Sequence, residues 1–217
     1  MSTPESVNDL PVQDRLQLGT TVAHLQREFA GRFDDETIEH IAVDSFARLA
    51  ATAKVHDFLG VLSERFARER LSAMLDTGRK GEVAPGVLFL CVHNAGRSQM
   101  AAGFLRADAA GRIRVYTGGS EPGASLNPIA VKAMAEVGID ISEEFPKPWT
   151  EEVVRAVDVI VAMGCGDVCP VYPGTTRTEW DLDDPEGQPL EVVRRIRDEI
   201  KERVDALAHE LLTASQA

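Results

Sequence analysis

Val87-Leu88-Phe89-Leu90-Cys91-Val92-His93-Asn94-Ala95-Gly96-Arg97-Ser98 is an apolar run that ends on a cysteine, crosses a short stretch of small and turn-forming residues, and reaches Arg-Ser at the head of an amphipathic pattern. That order predicts a strand, a tight loop and a helix N-terminus. Successive loop N–H groups form a nest there, and the helix adds its unpaired first-turn donors and the positive end of its dipole. The cradle expected from Val92, His93, Asn94, Ala95, Gly96, Arg97 and Ser98 suits a tetrahedral anion. It also stabilises a thiolate at Cys91, the form of cysteine that acts as a nucleophile. Arg97 offers a planar, two-pronged donor to two oxygens of a bound oxyanion, which lysine does not match. Ser98 is placed to hydrogen-bond the thiolate. Asn94 tolerates left-handed backbone, and Gly96 removes bulk where the chain passes close to ligand. His93 is read as a positive neighbour or spacer in the cradle, without a catalytic role. A free cysteine at a strand end is commonly a buried core residue. The Cys-x5-Arg-Ser spacing at a strand-to-helix junction favours chemistry instead.

Outward from this stretch, strand candidates at 87–91, 112–117, 157–162 and 175–180 alternate with helical segments near 98–109, 127–137 and 189–213. The alternation predicts an α/β fold with a four-stranded parallel sheet and helices on both faces. Asn127-Pro128 makes a capped helix start. Gly118-Gly119-Ser120-Glu121-Pro122-Gly123 reads as a mobile loop by composition, with no chemistry attached. The last helix carries the apolar stripe Leu190, Val193, Ile196, Ile200, Val204, Leu207 and Leu211, expected to pack on the sheet.

Strands of a parallel sheet end on one shared edge. The apolar run 157–162 therefore carries Met163-Gly164-Cys165-Gly166-Asp167-Val168-Cys169-Pro170 toward the Cys91 loop. Cys91, Cys165 and Cys169 are the chain's 3 cysteines, an odd count that argues against a disulfide framework. No histidine or further cysteine completes a zinc set beside the pair, so no metal is expected. A redox role fits better. A thiol near Cys91 can attack a covalent adduct formed there, and a second thiol can carry the resulting disulfide outward, with Gly164 and Gly166 permitting the rearrangement. Beyond the last strand, Trp180-Asp181-Leu182-Asp183-Asp184-Pro185 supplies carboxylates. Acidic loops are usually just solvated, but oxygen expelled from a tetrahedral centre by a thiolate needs a proton. Asp184, stiffened by Pro185, is selected for that task, with Asp181 and Asp183 as alternatives.

Ahead of this series, residues 11–75 show no strand pattern and three helical ones. Leu16, Leu18, Val22, Leu25 and Phe29 mark the first, Ile38, Ile41, Ala42, Phe46 and Leu49 the second, and Phe58, Leu62, Phe66, Leu71 and Leu75 the third. Asp76 to Gly86 is rich in Gly and polar residues and reads as a linker. The expected domains are 1–80, three helices, and 81–217, the α/β part. With 217 residues and 44% hydrophobic content there is ample material for packed cores. The balance of 23 basic against 35 acidic residues, net charge −12, disfavours nucleic acid or an anionic membrane as partner. The first residues lack a signal-peptide pattern and no run of about 18 apolar residues occurs, so the expected location is cytoplasmic.

Cys91-x5-Arg97-Ser98 after a strand, with Asp184-Pro185 near the end of the domain, resembles the low-molecular-weight protein tyrosine phosphatase fold. Ser98-Gln99-Met100-Ala101, the Cys165/Cys169 pair and Trp180-Asp-Leu-Asp-Asp-Pro resemble more narrowly its arsenate reductase branch, over about residues 86–213. Residues before Val83 resemble the three-helix domain that precedes such reductases in some actinobacterial proteins. The resemblance implies that Cys91 attacks arsenate held by the loop and Arg97 while Asp184 protonates the departing oxygen. It further implies that Cys165 attacks Cys91 in the adduct, releasing arsenite, that Cys169 then attacks Cys165, and that thioredoxin reduces the final disulfide. No cofactor is implied. Phosphatases of this fold carry aromatic residues after Asp-Pro and a second cysteine before the loop arginine; Glu186-Gly187 and Gly96 stand there. Both departures favour the reductase. Thioredoxin-coupled reductases space their relay cysteines more widely and hold potassium with an acid where Ala102 stands. The Gly164-Cys165-Gly166-Asp167-x-Cys169-Pro170 pattern occurs also in mycothiol-coupled relatives. Mycothiol with mycoredoxin is thus the alternative reductant, and tyrosine phosphatase the alternative activity. The N-terminal helices are a candidate homodimerisation module.

Overall fold

The computed structural model describes residues 7, 12–51, 58–79, 81–164 and 172–214. Cys165 and Cys169 therefore lie outside the described residues. The chain divides into two compact units, Met1–Leu75 and Asp76–Ala217.

In the first unit, helices α1 (Val12–Glu28), α2 (Asp35–Ala50) and α3 (Leu59–Asp76, which runs to the boundary) follow the three apolar stripes. Leu18, Val22 and Leu25 on α1 and Ile38, Ile41, Ala42, Phe46 and Leu49 on α2 are buried at helical spacing. Asp34 caps α2, its Oδ1 accepting the Thr37 N–H at 2.7 Å. Two residues counted in the stripes are not core: Leu16 is 77% and Phe58 69% exposed. Conversely, Arg70 is buried, paired at 2.7 Å with Asp44 and donating to Ser45 Oγ at 2.8 Å. Buried charge is tolerated there because it is matched.

The second unit is built on β1 (Gly86–Cys91), β2 (Arg114–Gly119), β3 (Val159–Met163) and β4 (Thr176–Glu179), all parallel in the order β2-β1-β3-β4. Helices α4 (Arg97–Ala109), α5 (Pro128–Ala135), α6 (Glu151–Ala156) and α7 (Leu190–Ala214) complete it. Side chains alternate across a strand. Val87, Phe89, Val159 and Val161 accordingly join one core with Met100, Phe104, Leu105, Val193, Ile196 and Ile200 of α4 and α7. Leu88, Leu90, Ile160 and Ala162 on the opposite face are fully buried as well. Helix α6 packs beside β1 and was not anticipated, since six residues are too few to display a helical period.

Register fixes the position of the site. Cys91 is the last residue of β1 and pairs with Gly119 of β2 on one side and Met163 of β3 on the other. The chain leaves β1 for β2 on one flank and later enters β3 on the other, so the Cys91 loop rises where the strand order reverses. Ligands of open parallel sheets bind at such switch points.

Strand β2 runs two residues beyond the expected 112–117, through Gly118 and Gly119. Composition suggested a mobile loop; the structure shows close approach instead. A Cβ on Gly118 would lie 2.8 Å from Trp149 Cα, and one on Gly119 2.7 Å from Val92 O. Only glycine lets the neighbouring backbones come so near.

Candidate active site

Cys91 is buried, with its sulfur 3.0 Å from Ser98 Oγ and accepting the Asn94 N–H at 3.2 Å. Asn94 holds the left-handed conformation, φ 48°, that the loop was expected to need. Its side chain ties the loop together. Nδ2 donates to Ser98 Oγ at 2.9 Å, while Oδ1 accepts from Gln99 Nε2 at 3.2 Å and from the Lys147 N–H at 3.0 Å. Gln99 Nε2 also reaches the carbonyls of Asn94 and Phe145. Lys147 itself is buried, its ammonium 4.9 Å from the Phe145 ring centroid. Sequence reasoning passed over Lys147, and met Gln99 only as a member of a motif without assigning it a contact.

The segment that composition dismissed is what orients the cradle. Ser120, Glu121 and Gly123 donate their N–H groups to the carbonyls of Cys91, Val92 and His93 at 3.3, 2.9 and 2.9 Å, and the Asn127 N–H reaches Ala95 O at 2.9 Å. In a planar trans peptide the C=O and N–H point in opposite directions. With those carbonyls turned outward, the N–H groups of Val92, His93, Asn94 and Gly96 turn away from the 120–127 segment. The observed Asn94 N–H to Cys91 sulfur bond follows from that arrangement. Arg97 and Ser98, at the start of α4, add first-turn donors. His93 is exposed, and its Nδ1 lies 3.0 Å from Glu121 O.

Arg97 is buried, and its guanidinium is shared. Nη1 donates to Leu182 O at 3.2 Å, and Nη2 pairs with the Asp184 carboxylate. All three candidate carboxylates are exposed, and Asp184 is the one joined to Arg97. The Glu186 N–H donates to Asp184 Oδ1 at 3.0 Å, forming a tight turn around Pro185. The segment is anchored upstream by Trp180, whose ring lies 5.7 Å from that of Phe89 and whose backbone N–H donates to Ala162 O at 2.8 Å. A cavity of about 10 Å³, lined by Cys91, His93, Arg97, Asn127, Asp184 and Glu186 among others, opens at the cradle. Among the described residues, no three His, Cys, Asp or Glu side chains cluster so as to hold a metal.

At the end of β3, Gly164 adopts φ +78°, and a Cβ there would stand 3.1 Å from Arg97 Nη1. The chain thus enters the 165–171 segment directly beside the guanidinium.

Cys91 opens a loop at the switch point of a four-stranded parallel sheet, and the arginine of that loop pairs with an Asp-Pro carboxylate; together they define a phosphatase-like class of protein. The chain belongs to the low molecular weight phosphotyrosine protein phosphatase family, which matches residues 86–217. Residues 18–75 match a second family, the N-terminal domain of protein-tyrosine-phosphatase-like proteins. Among curated relatives, arsenate reductase 1 of Staphylococcus epidermidis is 39% identical over 127 residues, 57% of this chain and 95% of that protein. The glutaredoxin arsenate reductase of Synechocystis is 41% identical over 124 residues, 56% and 94% of the two chains. Among solved structures, the thioredoxin-dependent arsenate reductase of Corynebacterium glutamicum superposes with a TM-score of 0.82 at 38% identity, covering 91% of this chain and 97% of that one. That likeness extends over the N-terminal helices as well.

Proposed function

We propose that this protein reduces arsenate to arsenite and is regenerated by thioredoxin. Cys91 attacks arsenic in an oxyanion held by the loop N–H groups and Arg97, and Asp184, which takes up a proton when the oxyanion replaces it on the guanidinium, gives that proton to the oxygen that leaves as water. Cys165 then attacks the sulfur of Cys91. The S–As bond breaks, its electron pair stays on arsenic, and arsenite departs. Two thiols have lost two electrons to form one Cys91–Cys165 disulfide, and As(V) has become As(III). Cys169 displaces Cys91 from Cys165, and a dithiol of the thioredoxin class reduces the Cys165–Cys169 disulfide.

The observation that carries this reading is the edge geometry of β1 and β3. Cys91 pairs with Met163, and Gly164 lies against Arg97, so the chain bearing the other two cysteines begins at the oxyanion site. The naming of the Corynebacterium relative as thioredoxin-dependent supports the choice of reductant. Family membership alone favours a hydrolytic reading, in which Cys91, Arg97 and Asp184 suffice and neither Cys165 nor Cys169 is needed.

Arsenate turnover with thioredoxin and its reductase, beside mycothiol and mycoredoxin, separates these readings for wild type, Cys165→Ser and Cys169→Ser. Thioredoxin-supported turnover is expected to fall more than about 100-fold in both variants, in line with loss of an essential nucleophile. Full thioredoxin-coupled activity in Cys169→Ser would overturn the relay. Hydrolysis of an aryl phosphate by the double serine variant, without arsenate turnover in the wild type, would establish the phosphatase.

A further inference from the structure

Asn127 joins three segments that meet at the site. Its backbone N–H donates to Ala95 O of the cradle at 2.9 Å. Its Oδ1 caps α5 by accepting the N–H groups of Ile129 and Ala130 at 2.9 and 3.1 Å, and its Nδ2 donates to Pro185 O at 3.1 Å. The residue is 7% exposed, so these bonds form away from competing water. On the other side of the same proline, the bare Cα of Gly96 leaves the room that the ring occupies: a Cβ there would lie 2.7 Å from Pro185 Cγ. Pro185 is thus drawn in by an amide and admitted by a missing side chain. Asp184, next to it, has its carboxylate on Arg97.

We propose that Asn127 and Gly96 are positioning residues that seat Pro185 on the cradle and so hold the Asp184 carboxyl where it protonates the leaving oxygen. The inference rests on the reading of Asp184 as the acid. Capping α5 needs an acceptor oxygen, which serine supplies about as well as asparagine. The Nδ2 donor is surplus to that task, and it is spent on the segment that carries the acid. A carboxyl loosened from its place by a fraction of an ångström loses much of its effect, because proton transfer requires hydrogen-bond reach.

The test is single-turnover formation of arsenite from inorganic arsenate by the reduced, full-length protein. Asn127→Ser keeps a capping oxygen but cannot span to Pro185 O, and Gly96→Ala pushes the ring from the opposite side without touching the α5 cap. Each is expected to slow the chemical step about tenfold, the scale of one hydrogen bond. For Asn127→Ser, arsenate half-saturation should change less than about twofold and the melting temperature should fall by no more than a few degrees; Gly96→Ala, which lies in the cradle, is read by the chemical step alone. Asp184→Asn should cost about 100-fold or more. In the Asp184→Asn background, Asn127→Ser should add less than about twofold, since a residue that acts through Asp184 has nothing left to act on. Wild-type rates in both single variants would overturn the proposal, as would an undiminished tenfold loss when Asp184 is already replaced. A silent Asp184→Asn would instead remove the acid reading itself, and the inference with it.

Discussion

Arg97 is the side chain on which the site's charge turns. Its planar head donates in two directions at once, to Leu182 O and to Asp184, from a position 7% exposed. An ammonium has the charge without the fork. Arg97→Lys is therefore expected to lower kcat/KM for arsenate by about 100-fold or more, the scale of one preorganised oxyanion donor, with little change in melting temperature. Activity within twofold of wild type would show that charge alone suffices. Much at this scale was legible beforehand. The Cys91–Ser98 contact and the left-handed Asn94 stand as spacing suggested, and Asp184 is the carboxylate that meets Arg97. Lys147 was not legible, because a charged side chain far along the chain carries no local sign that it will be buried behind a loop, and the motif containing Gln99 did not disclose its bonds to Asn94 and Phe145. Asn127 was read as a cap, and its second bond to Pro185 depends on a segment 58 residues away.

Among elements, β1 and α4 could be drawn within a residue or so from the apolar run and the start of the helical pattern. Segment 118–123 could not, since glycine marks mobility and close approach alike, and only the neighbour decides. Gly119→Ala tests the latter. With Val92 O 2.7 Å from the new Cβ, either β2 or the cradle must shift. The expected cost is about 1–3 kcal/mol of stability, measured by denaturant unfolding, together with slower arsenate turnover. An unchanged protein would mean that the segment is as loose as its composition suggests. Helix α2 offers a separate prediction. The Thr37 hydroxyl, and then the Thr37 N–H, hold the Asp34 carboxyl below its ordinary value of 3.8. A carboxylate favoured in the folded state contributes fully above that ordinary value and loses its contribution as pH falls below it. Asp34→Ala should lower the melting temperature at pH 7 and converge with wild type at pH 2. A difference that persists at pH 2 would assign the effect to something other than the charged cap.

The whole molecule is two compact units with different evidence of purpose. The α/β unit carries every described residue of the site. Helices α1–α3 form a core of their own, yet Leu16, Phe58 and Val61 remain 77, 69 and 63% exposed. Scattered apolar side chains of this kind need no partner, so the proposed joining of two copies of the chain rests on a truncation test. Removal of residues 1–80 from the 217-residue chain should then leave a species of about one third of the intact dimer's mass by light scattering, that of a single truncated chain, and a pair of truncated chains would remove the idea. The acidic balance of the chain, net −12, leaves the Arg97 cradle as a local positive site within a negative molecule. Under the proposed function, substrate capture is accordingly a matter of the loop, not of the protein's long-range field.

In the proposed reaction, electrons reach arsenic through Cys91 and Cys165. Mass spectrometry of Cys169→Ser, quenched by alkylation after reaction with arsenate and no added reductant, reads it directly. The expected product is a Cys91–Cys165 disulfide, one for each arsenite released. Arsenite that appears only when a small thiol is added, with Cys165 recovered as an alkylated free thiol, would contradict it.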